Sequence, residues 1–378
     1  MIFNNFTQHI KKMDWVMNIA VFILVGIGLA SLFSISYSRG SFPGNNFFEF
    51  YQSYFGKQLF FFILGIFLMI VMSFFDWRAF KNHSNLILLM YGICIITLLG
   101  LLIFVKPIRG IRSWYSIAGF TFNPIEMTKI VLVILLAKYF SFRHAEMYNF
   151  SHILVSGVYV AIPSLLMFLQ PDFGSVLVIL LLWVGILFVS GIKIRHFFVL
   201  LLAGAVLFGA GWNFFLKDYQ KQRIVTFVNP EQDVLDSGWN QMQSQIAIGS
   251  GGMWGKGLLK GPQVQLKFLP EPQTDFIFAS IAEEMGLAGV IVLIGAMLVM
   301  LSRAVRIAIM APDNFSKFFV AGFIIIFFAQ SFINMAMNLR LFPIVGIPLP
   351  LVSYGGSNLI FSFLALGIVQ AIKISERT

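Results

Sequence analysis

Long apolar segments separated by short polar stretches run along the whole chain, and most charged residues lie in the polar stretches. A helix that spans a bilayer needs roughly 17–25 mostly apolar residues. Segments of that length predict an all-α fold with ten transmembrane helices. The predicted spans are approximately Trp15–Tyr37, Lys57–Phe75, Ser84–Val105, Pro124–Phe140, Ile153–Leu169, Gly174–Ser190, Phe197–Leu216, Phe276–Leu301, Phe318–Met337 and Gly355–Ile374.

The basic residues orient these spans. An even number of spans places both termini on one side, and short loops rich in Lys and Arg stay in the cytoplasm. Both termini are therefore predicted to be cytoplasmic, with one large extracytoplasmic loop, about residues 217–275, between spans 7 and 8. The first span is too long for a signal-peptide core and is expected to be retained. The basic residues on the terminal side are Lys11, Lys12, Arg78, Lys81, Lys138, Arg143, Lys193, Arg195, Arg303, Arg306, Lys317, Lys373 and Arg377.

Composition indicates a polytopic integral membrane protein. Of the 378 residues, 58% are hydrophobic and only 11% are charged. A soluble core could not bury that much apolar surface. The net charge of +10 comes without a nucleic-acid-binding motif, so no nucleic-acid partner is expected. The single cysteine, Cys94, lies within an apolar span, which excludes a disulfide.

Chemistry on the outer side would have to use a carboxylate. All five histidines fall in or beside the predicted cytoplasmic loops. A histidine acid, base or metal ligand is therefore not expected outside. Asp275 is the leading candidate because it follows the stiff Pro270-Glu271-Pro272 run and precedes span 8. An ionisable group at a membrane edge is costly and is read first as functional. Asp275 is interpreted as a general base, with helix capping by Thr274 and Asp275 as the alternative.

Two further outer carboxylates allow a structural and a functional interpretation. Glu126 follows Asn123 and Pro124, which matches a capping box, but Lys129 lies three residues further on. A Glu–Lys pair inside an apolar helix usually faces a polar cavity, and we favour a cavity wall. Asp172 lies in a tight turn before span 6, where N-capping is the simpler interpretation and substrate contact the other.

Outer cations suggest a site for an anion, most plausibly a phosphate-bearing lipid, although ordinary solvation explains them equally well. Arg112 stands next to Trp114, which is either an interfacial belt residue or part of a phosphate clamp. Arg223 lies in the large loop. Arg340 precedes the irregular stretch 343–357, which contains Ser353 and has too many prolines and glycines for a helix. Such backbone at membrane depth is either a structural turn or the lining of a cavity.

These motifs together resemble the SEDS family of bacterial cell-wall polymerases, over essentially the whole chain. Residues 1–378 are accordingly read as a single SEDS-type membrane domain. The elongation member is favoured over the division member by Gly255-Lys256-Gly257 and Gly261-Pro262-Gln263. The matching motifs are Arg112-Ser113-Trp114, Asn123–Lys129, Gln170–Gly174, Gly249–Gly252, Phe268–Glu271 with Thr274–Phe276, Gly346–Pro350 and Ser353–Gly356.

The resemblance implies an inverting peptidoglycan glycosyltransferase that polymerises lipid II on the outer face of the bacterial cytoplasmic membrane and releases undecaprenyl diphosphate. Asp275 matches the essential aspartate of the family. Arg112, Lys129, Arg223 or Arg340 would hold the diphosphate, and Trp114, Glu126, Asp172, Glu271 and Ser353 complete the predicted substrate-binding set. A divalent cation, Mg²⁺ or Mn²⁺, could assist at the diphosphate.

The resemblance also implies partners: the nascent glycan, a class B penicillin-binding protein that cross-links it, and other membrane proteins of the elongation complex. Two functions of other classes compete with the glycosyltransferase. A flippase for lipid-linked sugars would need polar groups near the midplane at a repeat interface. A non-catalytic scaffold would have no need of Asp275.

Overall fold

A computed structural model describes residues 2–40, 52–105, 113–117, 120–143, 150–214, 221, 225–227 and 237–375. Most of the described residues are helical. The main elements, in chain order, are α1 (Ile2–Lys12), α2 (Trp15–Ser38), α3 (Tyr54–Phe74), α4 (Arg78–Asn82), α5 (Ser84–Phe104), β1 (Tyr115–Ile117), β2 (Phe120–Phe122), α6 (Pro124–Arg143), α7 (Phe150–Leu169), α8 (Phe173–Val189), α9 (Ile194–Phe214), α10 (Ser237–Gly251), α11 (Pro262–Gln265), α12 (Ile277–Met310), α13 (Asn314–Asn338) and α14 (Gly356–Ser375).

A helix lies at the position of each predicted span, and the chain is an integral membrane protein. Within the described residues, seven helices are long and apolar enough to cross a bilayer: α2, α3, α5, α7, α12, α13 and α14. The shorter apolar helices are α8 and the Ile194–Val206 part of α9. Helix α6 is twenty residues long but carries Glu126 and Lys129. The ten-span count stays a prediction.

The all-α prediction is wrong in one short region. Strands β1 and β2 form an antiparallel hairpin in which Tyr115 pairs with Phe122 and Ile117 with Phe120. The Tyr115 hydroxyl donates to the Thr97 carbonyl at 2.7 Å and so fastens the hairpin to α5. Three-residue strands give too short an alternating pattern to be recognised in an apolar chain.

Side-chain caps mark where several helices begin. Asp14, Ser53, Asp172 and Asp313 each accept a hydrogen bond from a backbone N–H three residues ahead. Such caps satisfy donors that the first helical turn leaves unpaired. Helix entry is therefore encoded locally at these four positions.

Helices α13 and α14 form the buried centre of the bundle, because most of their residues are buried. Helix α13 packs against α6, α8 and α12, whereas α14 packs against α3. Helix α3 turns an apolar row outward, with Phe60, Ile63 and Phe67 at 42%, 62% and 61% exposure. That spacing is one face of a helix, as expected of a surface that contacts lipid.

Helix α2 runs from one end of the bundle to the other, and the contacts at its two ends identify what lies at each end. At the terminal end, Arg303 of α12 donates two bonds to Asp14, through Nε at 2.9 Å and Nη2 at 2.6 Å. The Gln370 side chain of α14 accepts from the Asp14 N–H at 2.9 Å. At the other end, Arg39 donates to the Gln273 side chain at 2.9 Å, two residues before Asp275. The Asp275 end therefore lies across the bundle from the termini.

Helix α12 is broken near its start. Gly286 has φ 67° and ψ −167°, which separates a short segment that begins at Ile277 from the long remainder. The glycine-rich stretch 252–257 fits into the break, and backbone groups exchange hydrogen bonds there. The four bonds run from Lys256 N–H to Glu283 O and from Gly257 N–H to Glu284 O, both 2.9 Å, from Leu287 N–H to Gly252 O at 2.9 Å, and from Ala288 N–H to Met253 O at 3.1 Å.

Two buried glutamates hold the same region together. The Glu283 carboxylate accepts from the backbone N–H groups of Gln263 and Val264, at 2.8 and 3.2 Å. The Glu284 carboxylate accepts from the hydroxyl of Ser34 on α2 and from the Leu259 N–H. Both side chains therefore serve the fold of residues 252–265, which lies against α12 and α2.

Candidate active site at the Asp275 end

Asp275 lies just outside the first turn of α12. Phe276 occupies the N-cap position of α12 and makes no side-chain capping bond. The preceding turn is compact, because the Glu271 carbonyl accepts from the N–H groups of Thr274 and Phe276 at 3.1 and 3.4 Å. The Glu271 side chain accepts from the amide of Gln273 at 2.7 Å. Asp275 is half-buried at the end of this turn.

The irregular stretch between α13 and α14 supports this turn along its backbone. Ser353 donates its hydroxyl to the Thr274 carbonyl at 2.7 Å and accepts from the Leu349 N–H at 2.8 Å. Tyr354 N–H donates to the Gln273 carbonyl at 2.8 Å. Ser353 is 4% exposed, so its hydroxyl acts as a brace for the Asp275 turn.

Gly346 faces the carboxylate. A Cβ placed on Gly346 would lie 3.8 Å from Oδ2 of Asp275, and the residue has φ +69°, which favours glycine. The neighbouring backbone is packed closely, since a Cβ on Gly174 of α8 would meet the Val345 carbonyl at 2.6 Å. The irregular stretch is thus fixed on one side by α8 and presents its least bulky residue to Asp275.

Glu126 and Lys129 form a buried ion pair. Nζ of Lys129 lies 2.7 Å from Oε1 of Glu126, and the side chains are 4% and 11% exposed. Asn358 of α14 donates to the other carboxylate oxygen at 3.2 Å. Asn123 caps α6 through the Ile125 N–H at 3.0 Å, whereas its own N–H donates to Ser357. The capping-box interpretation of Glu126 is therefore wrong.

The pair lines a pocket that is partly open to the surroundings. Glu126 and Lys129 therefore lie in the wall of a pocket, and their role toward a substrate stays a prediction. The remaining wall is largely aromatic and aliphatic. It is formed by Ile130, Val133, Phe319, Phe323, Ile326, Phe327, Gln330, Phe361, Ser362 and Ala365.

Asp172 caps α8, as the simpler interpretation predicts. It accepts from the Ser175 N–H at 3.0 Å and from the Ser175 hydroxyl at 2.9 Å. Burial raises the pKa of the Asp172 carboxyl, an effect opposed by both Ser175 bonds and by the charge of Lys129.

The structure describes only some of the cations that were predicted to bind the diphosphate. Arg112 and Arg223 lie outside the described residues. Arg340 is half-buried with φ 59°, directly after α13, and Trp114 is 39% exposed beside β1. Arg39 was not among the predicted site residues, although its bond to Gln273 places it beside the Asp275 turn.

A divalent metal finds no ready-made cage in the described part of the chain, where no cluster of three His, Cys, Asp or Glu side chains occurs. The carboxylates around Asp275 are instead engaged with amides and backbone groups.

The comparisons with known proteins agree with this arrangement. The family model of the FtsW, RodA and SpoVE cell cycle proteins matches residues 14–378. MrdB of Escherichia coli K12, named a peptidoglycan glycosyltransferase, is 37% identical over 314 residues, 83% of this chain and 84% of that protein. A chain from a peptidoglycan synthase complex that coordinates polymerization and crosslinking superposes with TM-score 0.78 at 27% identity, covering 96% of this chain and 98% of that one. The rod shape determining protein RodA of Thermus thermophilus gives TM-score 0.67 at 25% identity, covering 97% and 98%.

The fold and site define a helical integral membrane protein with a carboxylate held at one end of the bundle. The chain belongs to the FtsW/RodA/SpoVE family, the SEDS family predicted from its motifs. Within it, the rod-shape member RodA is favoured over FtsW. The predicted family is confirmed.

Proposed function

We propose that this chain is a peptidoglycan glycosyltransferase that polymerises lipid II during cell elongation, with Asp275 as its general base. The observation that carries the proposal is the placement of Asp275, whose turn is braced from α13 and from the irregular stretch while its carboxylate faces Gly346. A fixed carboxylate beside a residue without a side chain leaves room for a substrate hydroxyl.

The reaction joins two lipid-linked sugars. The 4-hydroxyl oxygen of the acceptor attacks the anomeric carbon of the donor from the face opposite the diphosphate, which inverts that centre. As the new carbon–oxygen bond forms, the bond to the diphosphate breaks, and undecaprenyl diphosphate leaves with the bonding electrons. Asp275 takes the proton of the attacking hydroxyl.

Cations would stabilise the leaving diphosphate. The candidates remain Arg112, Arg223, Arg340 and Lys129. Lys129 is already paired with Glu126, whereas Arg340 makes no ion pair with the described residues and is the stronger candidate of the two. Arg39 joins the candidates because it donates a hydrogen bond to Gln273. Trp114, Asp172, Glu271 and Ser353 would shape the site. Mg²⁺ or Mn²⁺ at the diphosphate stays a prediction.

The proposed topology has ten spans, cytoplasmic termini and the Asp275 end facing outward from the bacterial inner membrane. Arg303 and Lys373 at the terminal end fit a cytoplasmic face by the positive-inside rule. The likeness to a chain of a synthase complex supports a class B penicillin-binding protein as partner, together with other elongation-complex membrane proteins.

Purified protein in vesicles with labelled lipid II tests the proposal. Wild type should yield glycan polymer, and Asp275→Asn should yield none while retaining its fold and lipid II binding. Asp76→Asn is the matched control, because Asp76 is exposed near the terminal end. Polymer formation by Asp275→Asn at the wild-type rate would refute the general base. Movement of lipid II across the vesicle without polymer would favour the flippase, and neither activity would favour the scaffold.

A further inference from the structure

One side-chain amide occupies the place of a helical hydrogen bond at Asp275. Nδ2 of Asn338 donates to the Asp275 carbonyl at 2.9 Å, and Oδ1 of Asn338 accepts from the Ala279 N–H at 3.2 Å. A carbonyl and the N–H four residues later are the two groups that bond each other inside an α-helix. The Asn338 amide therefore lies between partners that would otherwise extend α12 by one residue.

Other bonds hold this amide in place. Asn338 is fully buried and donates also to the Asn334 carbonyl at 2.8 Å. Ser244 of α10 donates to the Asn338 backbone carbonyl at 2.9 Å, with a longer contact of 3.4 Å to Oδ1. Both hydrogens of the Asn338 amide group are thus assigned, and its orientation is determined by its surroundings.

Asn334, one turn earlier on α13, bonds to the same carbonyl. Its Nδ2 donates to the Asp275 carbonyl at 3.1 Å and to the Ile347 carbonyl at 2.8 Å. Two donors on one carbonyl fix the plane of the peptide that follows Asp275, because that peptide is rigid. Ser353 restrains the preceding peptide through the Thr274 carbonyl, and the two restrained peptide planes together determine the direction in which the Cα–Cβ bond of Asp275 points.

We propose that Asn338, with Asn334 and Ser244, is a positioning residue that keeps Asp275 out of helix α12 and directs its carboxylate toward Gly346. Without the Asn338 amide, the Asp275 carbonyl can bond to the Ala279 N–H, which would turn the aspartate into the first helical turn. This inference rests on the proposed function, since it concerns the geometry of the proposed base.

Steady-state kinetics on lipid II test it. Asn338→Ala should lower kcat about 10- to 100-fold, as expected when a reacting group is misplaced by about 1 Å, and should change KM less than about threefold. Ser244→Ala should lower kcat less, because it only loosens the amide. Asn338→Gln, which keeps the amide on a longer side chain, should recover part of kcat.

Asn18→Ala is the matched control. Asn18 is equally buried, but its side chain accepts from Gln370 at the terminal end of the bundle. It should lower thermal stability and leave kcat per folded molecule unchanged. If Asn338→Ala does not fold, Ser244→Ala and Asn338→Gln carry the same test.

Wild-type kcat in the folded variants at Asn338 and Ser244 would overturn the positioning role. This failure is distinguishable from that of the proposed function. In the first case Asp275→Asn is inactive while the Asn338 and Ser244 variants are normal, and in the second Asp275→Asn itself polymerises lipid II.

Discussion

Removal of the Glu126 carboxylate should destabilise the protein more than any single loss of a surface charge. In Glu126→Ala, Lys129 would keep a buried charge without its partner at 2.7 Å, and Asn358 would lose an acceptor at 3.2 Å. An unpaired buried charge costs about 3–5 kcal/mol. Water can enter the partly open cavity and lessen this cost, so we expect a loss of about 3 kcal/mol in the free energy of unfolding.

Denaturant unfolding of the purified protein in detergent measures this loss. The informative control is the double variant Glu126→Ala, Lys129→Met, which removes both charges and keeps an apolar side chain of similar length. The double variant should be more stable than Glu126→Ala alone, because the penalty comes from the isolated cation. Equal stability of the two variants, or a loss below about 1 kcal/mol in Glu126→Ala, would refute this account of the pair.

Two further predictions concern the helix break and the terminal end. Gly286→Ala should release the 252–257 segment and sharply increase its proteolysis, since a Cβ there would lie 2.2 Å from the Gly255 nitrogen at φ +67°. In Gly295→Ala, in the same helix, the added Cβ meets open space, so proteolysis should be unchanged. Equal cleavage in both variants would contradict the insertion of residues 252–257 into the break at Gly286. Burial alone would raise the pKa of Asp14, but hydrogen bonds from Arg303 and the Met17 N–H hold it below its ordinary 3.8. The ion pair therefore stabilises the fold above the ordinary pKa of aspartate, and this stabilisation is lost as pH falls through the lower pKa of the folded state. The difference in unfolding free energy between wild type and Asp14→Asn should be constant from about pH 5 to 8 and should shrink only below about pH 4. A difference that disappears near neutral pH would contradict this.

The helices were predictable because long apolar segments have few alternatives in a membrane. The break at Gly286 was not, since a glycine inside an apolar segment is usually tolerated without leaving the helix. Its signal lies elsewhere in the chain, in the glycines at 252, 255 and 257 that give the inserted segment its close approach. A contact of that kind depends on two stretches at once and cannot be read from either one alone.

Sequence patterns pointed to the charged residues of the candidate site but not to its neutral ones. Asp275 and the Glu126–Lys129 pair stand out because ionisable groups in apolar segments are rare. Asn334 and Asn338 were missed, because neutral amides within a helix attract no such attention. Their spacing of four residues puts both on one face of α13, which is the signal that could have identified them. Nothing in the sequence around Arg39 pointed to the site, because only the fold brings it to Gln273.

The pairing of residues 252–257 with the helix break at Gly286 also bears on the order in which parts of the protein fold during synthesis. Its two segments are about 30 residues apart, so little chain entropy is lost in joining them, and they can pair as soon as both have been synthesised. The four backbone hydrogen bonds between them then open and close as one unit. Asn338 is synthesised later, with α13. The scaffold of the Asp275 end can thus form during synthesis, whereas the aspartate acquires its final direction only once α13 is in place, and a nascent chain would remain without polymerase activity until then.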